Sequence, residues 1–315
     1  MEQQEIILTI GPPASGKTTW ARSFANSNGG YINICRDDIR VDIGSRYNIA
    51  PHSKGEWTKD HEKKCSEMQS EQVINALRNG LSVIVSDTNL DESTRTRFHQ
   101  IVNNFSANIR YVHFYTDYDE LVKRDQTRYG WKYVGEDIIK KFYINHIEQF
   151  PTPVKGYRWI GHFDDYGFAS ISLNEYHPKG KRGIICDIDG TLAHRYDRSP
   201  FEWDRVDEDE VDIDIKYLVQ MFERAGYDIV LVSGRDEVCR EKTEKWLKDN
   251  KINYHALFMR PKNSRMKDSV VKHDLYHKYI HRKWTIDYVL DDRGQVVRQW
   301  RNMGFRVLDV AGYEF

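Results

Sequence analysis

The chain has 315 residues, 39% of them hydrophobic and 30% charged, with a formal net charge of −1. That is enough apolar material for folded cores, so a wholly disordered chain is excluded, and the length suggests about two domains. No run approaches the ~18 consecutive apolar residues that a membrane helix needs, the polar, acidic start Met1 to Glu5 is unlike a secretory signal, and near-neutrality argues against an extended polyanion-binding face.

Strand and helix patterns alternate through the first half. IILTI (Ile6 to Ile10) is an apolar run ended by a Gly/Pro turn, and a helical stretch follows from Lys17 to about Ala25. YINI (Tyr31 to Ile34) reads as a second strand. Helical spacing then runs from Asp60 to Asn79, with Gly80 as its stop. LSVIVS (Leu81 to Ser86) is a buried strand, Glu92 to Asn103 a helix and Ile109 to Tyr115 a strand. Two further helices are expected at Asp117–Arg128 and Glu136–Gln149. Such alternation predicts a mostly parallel sheet covered by helices.

Pro151-Thr-Pro153 breaks the phasing. Residues 151–182 are expected to be a connector, rich in aromatics from Lys155 to Phe168, with a short hairpin around Phe168 to Leu173. Alternation then resumes. Strands are expected at Gly183 to Asp189, Tyr227 to Gly234, Tyr254 to Phe258 and Ile286 to Asp292. Helices are expected at about Val211–Ala225, Glu237–Asp249, Lys267–Ile280 and Gln295–Met303. The expected organisation is therefore two α/β domains, 1–150 and 183–315, around the connector. Cys35, Cys65, Cys186 and Cys239 form no C-x-x-C pair, which suits a reducing, cytoplasmic setting.

Gly11 to Thr18, GPPASGKT, fits G-x-x-x-x-G-K-[ST] between a strand and a helix. In that context successive backbone N–H groups and the helix N-terminus face phosphates. Lys17 neutralises the β/γ-phosphates, and the Thr18 hydroxyl ligates Mg²⁺. The second strand runs into RDDIR (Arg36 to Arg40). An Asp there lies at the same sheet edge and can accept a proton from an attacking hydroxyl, while Arg40 can hold an anionic part of the acceptor. Asp87, in SDTN after the third strand, reads equally as a helix cap or as an acceptor contact. Arg124 and Arg128 are four apart and share a helix face suited to a lid over triphosphate oxygens; a solvated basic face is the plainer reading.

DIDGTL (Asp187 to Leu192) follows the strand IIC and fits the D-x-D-G-T signature of the haloacid dehalogenase superfamily. One carboxylate can attack phosphorus, and the other can protonate the leaving oxygen and then deprotonate water. Ser233-Gly234-Arg235 closes the next strand, where a hydroxyl can bind phosphate. Lys267 opens a helix and can neutralise phosphoryl oxygens. Asp291-Asp292 ends the last strand, where a carboxylate can hold Mg²⁺. His273, His277 and His281 share one helix face. No acidic base accompanies them as in H-E-x-x-H, so a surface or interface cluster is expected rather than a zinc site.

Together and in this order, the two motif sets resemble the bifunctional phage polynucleotide 5′-kinase/3′-phosphatase family. The resemblance extends to INICRDDIR, SDTNL, ELVKR, VVK near Lys272 and DDR-QVV at Asp291 to Val297. It implies a P-loop kinase domain followed by a haloacid-dehalogenase-like phosphatase domain, with ATP as donor, Mg²⁺ in both, and function alongside a polynucleotide ligase. It implies Asp37 as general base for a 5′-hydroxyl, Arg40 and Asp87 as acceptor contacts, and Arg124 and Arg128 as lid arginines. Gly11, Ser15, Gly16, Lys17, Thr18 and Thr19 would hold ATP. Asp187 would be the nucleophile and Asp189 the acid/base. Thr191, Ser233, Gly234, Arg235, Arg260 and Lys267 fall at phosphate- or polynucleotide-binding positions. Thr18, Asp187, Asp189, Asp291 and Asp292 fall at the metal positions. The family also implies a homo-oligomer. The aromatic connector could pack between the domains, stack a base or bind a partner. A rival is a metabolite kinase fused to a metabolite phosphatase; RDDIR followed by SDTN separates the two, because the nucleic-acid family shares it.

Overall fold

The computed structural model describes residues 3–151, 158–160, 170–172, 180–281 and 283–311, with side chains throughout except at 158–160 and 170–172. The chain forms two compact units, whose main described parts are residues 3–149 and 180–311.

The first unit runs β1 (Glu5–Ile10), α1 (Lys17–Ser27), β2 (Tyr31–Ile34), α2 (Arg36–Tyr47), α3 (Lys59–Arg78), β3 (Ser82–Val85), α4 (Glu92–Val102), β4 (Asn108–His113), α5 (Tyr118–Gln126) and α6 (Glu136–Gln149). Its sheet is parallel, with strand order β2-β3-β1-β4. The central strands β1 and β3 are buried on both faces, and successive residues feed different cores. Ile6, Leu8, Val83 and Val85 pack with Ile39, Ile43, Val73 and Phe98. Ile7 and Ile84 pack with Ala21, Val112 and Phe114. Each such side chain, removed from water, stabilises the fold by about 1.5–3 kcal/mol, and burial on both faces is what a parallel sheet requires. The helix α2 was not expected from the sequence; its hydrophobic positions are few, and Ile39 and Ile43 alone carry its buried face with Gly44.

Within the connector, β5 (Arg158–Ile160) pairs antiparallel with β6 (Ser170–Ser172), so the segment expected to form a hairpin by itself supplies one strand of a wider pair. The rest of the aromatic stretch from Lys155 to Phe168 lies outside the described residues.

The second unit runs β7 (Lys181–Cys186), β8 (Ala193–His194), β9 (Glu210–Val211), α7 (Ile213–Arg224), β10 (Asp228–Asp236), α8 (Arg240–Asp249), β11 (Ala256–Arg260), α9 (Asp268–Leu275), β12 (Trp284–Asp291), α10 (Gly294–Asn302) and β13 (Arg306–Asp309). Its five-stranded sheet is parallel, ordered β11-β10-β7-β12-β13. Ile184, Cys186, Ile229 and Leu231 face one core, while Ile185, Val230 and Val232 face the other. The chain leaves central β7, builds outward through β10 and β11, then crosses back to β12. That reversal opens a crevice at the carboxyl ends of β7, β10 and β12, where ligands of such sheets bind. β8 and β9 pair antiparallel and close a long loop over that edge. The final strand β13, the β8–β9 pair and the 3-10 turn Trp203–Glu208 were not anticipated.

Candidate active sites

The loop after β1 turns sharply. Ala14 and Gly16 both take positive φ, and Gly16 sits at the N-terminus of α1. A Cβ on Gly11 would lie 2.9 Å from the Phe114 carbonyl oxygen, so only glycine fits that close approach. Lys17 is 6% exposed and folds back over the loop. Its Nζ donates to the Pro12 carbonyl at 2.5 Å and to Ser15 Oγ at 3.2 Å. Burial, reinforced by the Arg128 guanidinium, pulls its ammonium down to about 7, with Asp87, Cys35 and Asp37 opposing the shift. Thr18 Oγ1 donates to the Ser86 carbonyl at 3.4 Å, while Thr19 is exposed. Arg124 is held by Glu120 at 2.7 Å, and Arg128 donates to the Lys132 carbonyl at 3.3 Å.

Beside this loop, β2 passes directly into α2, which puts Asp37 in the first helical turn. Asp37 is half exposed and accepts from Arg40 at 2.7 Å. Arg40 is fixed further by Glu62, which it meets at 2.9 Å through Nε, and Glu62 also binds Arg36. These arginines hold the Glu62 carboxyl down to about 2 against the opposing effect of burial. Asp87 is half-buried. It accepts from the Arg36 backbone N–H at 3.0 Å and from the Gln69 side chain at 2.6 Å, and burial raises its carboxyl. Asp87 is thus more than a cap on its own helix; Asp91 caps α4.

The second site gathers at the ends of β7, β10 and β12. Asp187 is 4% exposed and lies with Asp291 and Asp292 in a cluster in which one carboxylate oxygen from each comes within 4.8 Å of the others. One buried lysine, Lys272 of α9, lies 2.9 Å from Asp187, 2.8 Å from Asp291 and 3.9 Å from Asp268. The three carboxylates raise Lys272 against burial, so it stays charged. One lysine does not neutralise them, and burial with the neighbouring acids pushes the Asp187 carboxyl well up. Asp187 Oδ1 is buried without a hydrogen-bond partner. An orphaned buried carboxylate oxygen next to Asp291 and Asp292 fits a hard divalent cation. A Cβ on Gly190, whose φ is 83°, would run into the Asp292 carboxylate, so the glycine lets these acids converge.

Asp189 is held apart from that cluster. Its Oδ2 accepts from Arg235 Nε at 2.9 Å, and its Oδ1 accepts from Arg235 and Arg198, each at 3.1 Å. Both arginines are buried and share Asp209, which Arg198 reaches at 2.6 Å. The two buried guanidiniums are thus paired with the two carboxyl groups. Ser233 is fully buried, and its Oγ accepts from the Arg235 N–H. Thr191 Oγ1 donates to Asp292 at 3.4 Å. Arg260 spends its donors on the Gly234 and Met266 carbonyls and on Asp268. A cleft of about 960 Å³ opens onto Asp187, Asp189, Gly234 and Asp292, with Phe201 and Trp203 on its wall.

The lysine that meets Asp187 is Lys272; Lys267, expected at a phosphate position, stands at the N-cap position of α9 and is exposed. Arg198 and Asp209 had no recognisable motif, and their meeting depends on the β8–β9 return. Among the described residues, the side chains able to share one cation are the three aspartates. The Asp189 carboxylate stands outside that set. So do the histidines, although His273 and His277 have ring centroids 4.5 Å apart.

Residues 181–315 match the family described as the polynucleotide kinase PNKP phosphatase domain. The second unit is a phosphatase domain of the PNKP type. Residues 6–142 match the family described as an AAA domain. Both matched stretches fall within the part of this chain that aligns with a viral protein. That protein, of Autographa californica nuclear polyhedrosis virus, is provisionally named bifunctional polynucleotide kinase/RNA ligase. It is 30% identical over 316 residues, covering 95% of this chain and 41% of the viral protein. L-seryl-tRNA(Sec) kinase of Methanococcus maripaludis is 28% identical over 158 residues, covering 49% of this chain and 55% of that one. The chain thus spans about two fifths and about half of these relatives. A solved structure titled as the Pnkp1/Rnl/Hen1 RNA repair complex contains a chain 26% identical, covering 100% of this chain and 98% of that one, with a TM-score of 0.43. No helix among the described residues is long and apolar enough to cross a membrane.

Proposed function

We propose that this chain heals broken nucleic-acid ends, phosphorylating 5′-hydroxyls with its P-loop domain and removing 3′-phosphates with its phosphatase domain. One observation carries the reading: a P-loop with an acceptor-side carboxylate precedes, in one chain, a PNKP-type phosphatase domain with paired aspartates. The viral relative's name and its alignment over 95% of this chain support it.

In the P-loop domain, the backbone N–H groups of Gly11 to Thr19 and the Lys17 ammonium receive the phosphates of ATP. Asp37 accepts the proton of the attacking 5′-hydroxyl as that oxygen bonds to the γ-phosphorus and the bond to ADP breaks. Arg40 holds the acceptor's 3′-phosphate, and Asp87 anchors Arg36 and with it the turn that carries Asp37. Arg124 and Arg128 offset the charge that develops on the transferred group.

In the phosphatase domain, an Asp187 oxygen attacks phosphorus and the bond to the 3′-oxygen breaks as Asp189 gives that oxygen its proton. Asp189, now a carboxylate, takes a proton from water. The water oxygen bonds to phosphorus, the aspartyl-phosphate opens, and inorganic phosphate leaves with Asp187 restored. Lys272 keeps Asp187 oriented, and Arg198 and Arg235 fix Asp189. Asp187, Asp291 and Asp292 would hold Mg²⁺, which when bound supplies positive charge against the phosphoryl oxygens. In the P-loop domain, Thr18 would serve the same cation. The products, a 5′-phosphate and a 3′-hydroxyl, are the ends a polynucleotide ligase joins, which makes such a ligase the expected functional partner. Cytoplasmic action as a homo-oligomer belongs to the same reading.

The test is an assay of the purified chain on RNA and DNA oligomers bearing a 5′-hydroxyl and a 3′-phosphate, with ATP and Mg²⁺. Both end conversions are expected. Transfer to small metabolites but to no oligomer overturns the reading.

A further inference from the structure

Arg128 sits in the stretch 127–135 that joins α5 to α6, and Asp125, buried near the end of α5, pins both ends of that stretch. The Asp125 carbonyl accepts from the Arg128 N–H at 2.9 Å, and its carboxylate accepts from the Gly135 N–H at 2.9 Å. Between these anchors lies a 3-10 turn, Gly130–Lys132, closed by the Tyr133 N–H on the Gly130 carbonyl at 3.2 Å. The Arg128 guanidinium donates to the Lys132 carbonyl of that turn at 3.3 Å. Where the guanidinium stands therefore depends on where the turn stands.

A row of aromatic rings ties the turn to the acceptor-side arginines. The ring of Trp131, half-buried, lies 5.9 Å from that of His52, and His52 lies 6.1 Å from Trp57. Both spacings suit attraction between rings. Trp57 stacks on His61 of α3 at 5.2 Å, and its Nε1 donates to Glu62 at 2.8 Å. Glu62 is the carboxylate that grips Arg36 and Arg40. His52 has a φ of 60°, a left-handed conformation that a residue with a side chain keeps where its surroundings enforce it. Those surroundings include the two tryptophans and Glu62, at 3.9 Å. Burial and the Arg40 guanidinium lower the His52 imidazole, so at neutral pH an uncharged ring meets Trp131.

We propose that Trp131 is a positioning residue for phosphoryl transfer: packed on His52, it holds the turn Gly130–Lys132, and through the Lys132 carbonyl the Arg128 guanidinium, in the frame set by Glu62 and Arg40. The proposal rests on the reading of the P-loop domain as a 5′-hydroxyl kinase and adds what sets its lid. An arginine already held where charge develops needs no ordering as the phosphoryl group moves, whereas a misplacement of about 1 Å can cost about 10²-fold in rate. The clasp also refers a donor-side and an acceptor-side arginine to one carboxylate.

The experiment measures kcat and KM for transfer from ATP to a 5′-hydroxyl oligonucleotide. Trp131→Ala should lower kcat about 10–100-fold, with a smaller change in KM for the oligonucleotide. Trp131→Phe keeps a ring against His52 and should recover most of the rate. In Arg128→Ala, adding Trp131→Ala should cost nothing more, because the tryptophan acts through the arginine. His52→Ala removes the other ring; it should match Trp131→Ala and be equally silent without Arg128. Release of 3′-phosphate by the same variants should stay at the unmodified rate, and melting curves check that the P-loop domain folds. An unchanged kcat in Trp131→Ala, no recovery in Trp131→Phe, or losses that multiply in the double variant each overturn the clasp and leave the kinase reading standing. If the unmodified protein transfers no phosphate, the kinase reading falls and the clasp's role with it.

Discussion

Lys17 and Lys272 are both buried, one in each site, and their surroundings drive them in opposite directions. Lys17 hydrogen-bonds a carbonyl and a hydroxyl, shares its neighbourhood with Arg128, and falls to about 7. Lys272 stands among Asp187, Asp268 and Asp291 and rises. Burial penalises both ammonium groups alike, so the difference lies in the company. The P-loop site is a positive socket short of negative charge, and it suits a polyanion arriving with its own. The phosphatase site carries surplus negative charge, and it suits a cation arriving before a phosphate ester. The same residue type serves as a waiting ligand contact in one domain and as internal counter-charge in the other.

The strongest break of the comparison comes from removing the chemistry of one site at a time. Asp187→Asn should lower 3′-phosphate release at least about 10⁴-fold, since a missing nucleophile disables the whole set of groups, and should leave 5′-phosphorylation intact. Lys17→Ala should do the reverse, with a loss of about 10³-fold or more. Measuring both end conversions on one oligomer checks this; a variant that loses both activities together would mean the sites are not separate.

Stability separates the lysines next. Lys272→Met strips the charge partner from three buried carboxylates and should cost the phosphatase domain about 3–5 kcal/mol. Lys17→Met removes a cation that burial penalises, and should leave the P-loop domain at pH 7 as stable as before or more so. Denaturant unfolding of each variant measures the pair. Equal losses would show that Lys17 is paired in the folded chain after all. A gentler change, Asp292→Asn, should raise the divalent-cation concentration needed for half-maximal phosphatase activity about 10–100-fold, while the cation requirement of phosphoryl transfer stays as it is.

The same contrast explains what could be read in advance. Strands with apolar residues on both faces, such as Ile6 to Ile10 and Ile184 to Cys186, announce a parallel sheet wherever they occur, and the P-loop and DIDGT sit in contiguous stretches at strand ends. Asp37, Asp187 and Asp189 were legible for that reason. Lys272 was not, because two lysines five residues apart open and follow the same helical stretch. Only the packing of α9 against β10 and β11 decides which ammonium reaches Asp187. Arg198 and Asp209 were hidden by a loop whose two ends pair as β8 and β9, a two-residue ladder too short to leave an alternating pattern. Gln69, buried on α3 and binding Asp87, looks in sequence like one more polar helix position.

A pH series tests the pairing of Lys17 without measuring turnover. A lysine at about 7 in the folded domain and about 10.4 unfolded binds its proton more tightly in the unfolded chain. Between those values the unfolded state holds the extra proton, so the stability of the P-loop domain should rise with pH from about 7 towards 10. A triphosphate placed on the loop supplies the missing negative charge and lifts Lys17 back up. ATP binding at pH 8 should then take up close to one proton, read from binding heats in HEPES and in Tris. In Lys17→Met both signals, the upward slope of stability and the proton uptake, should shrink together. If the slope persists in that variant, another group carries it, and the contrast with Lys272 rests on geometry alone.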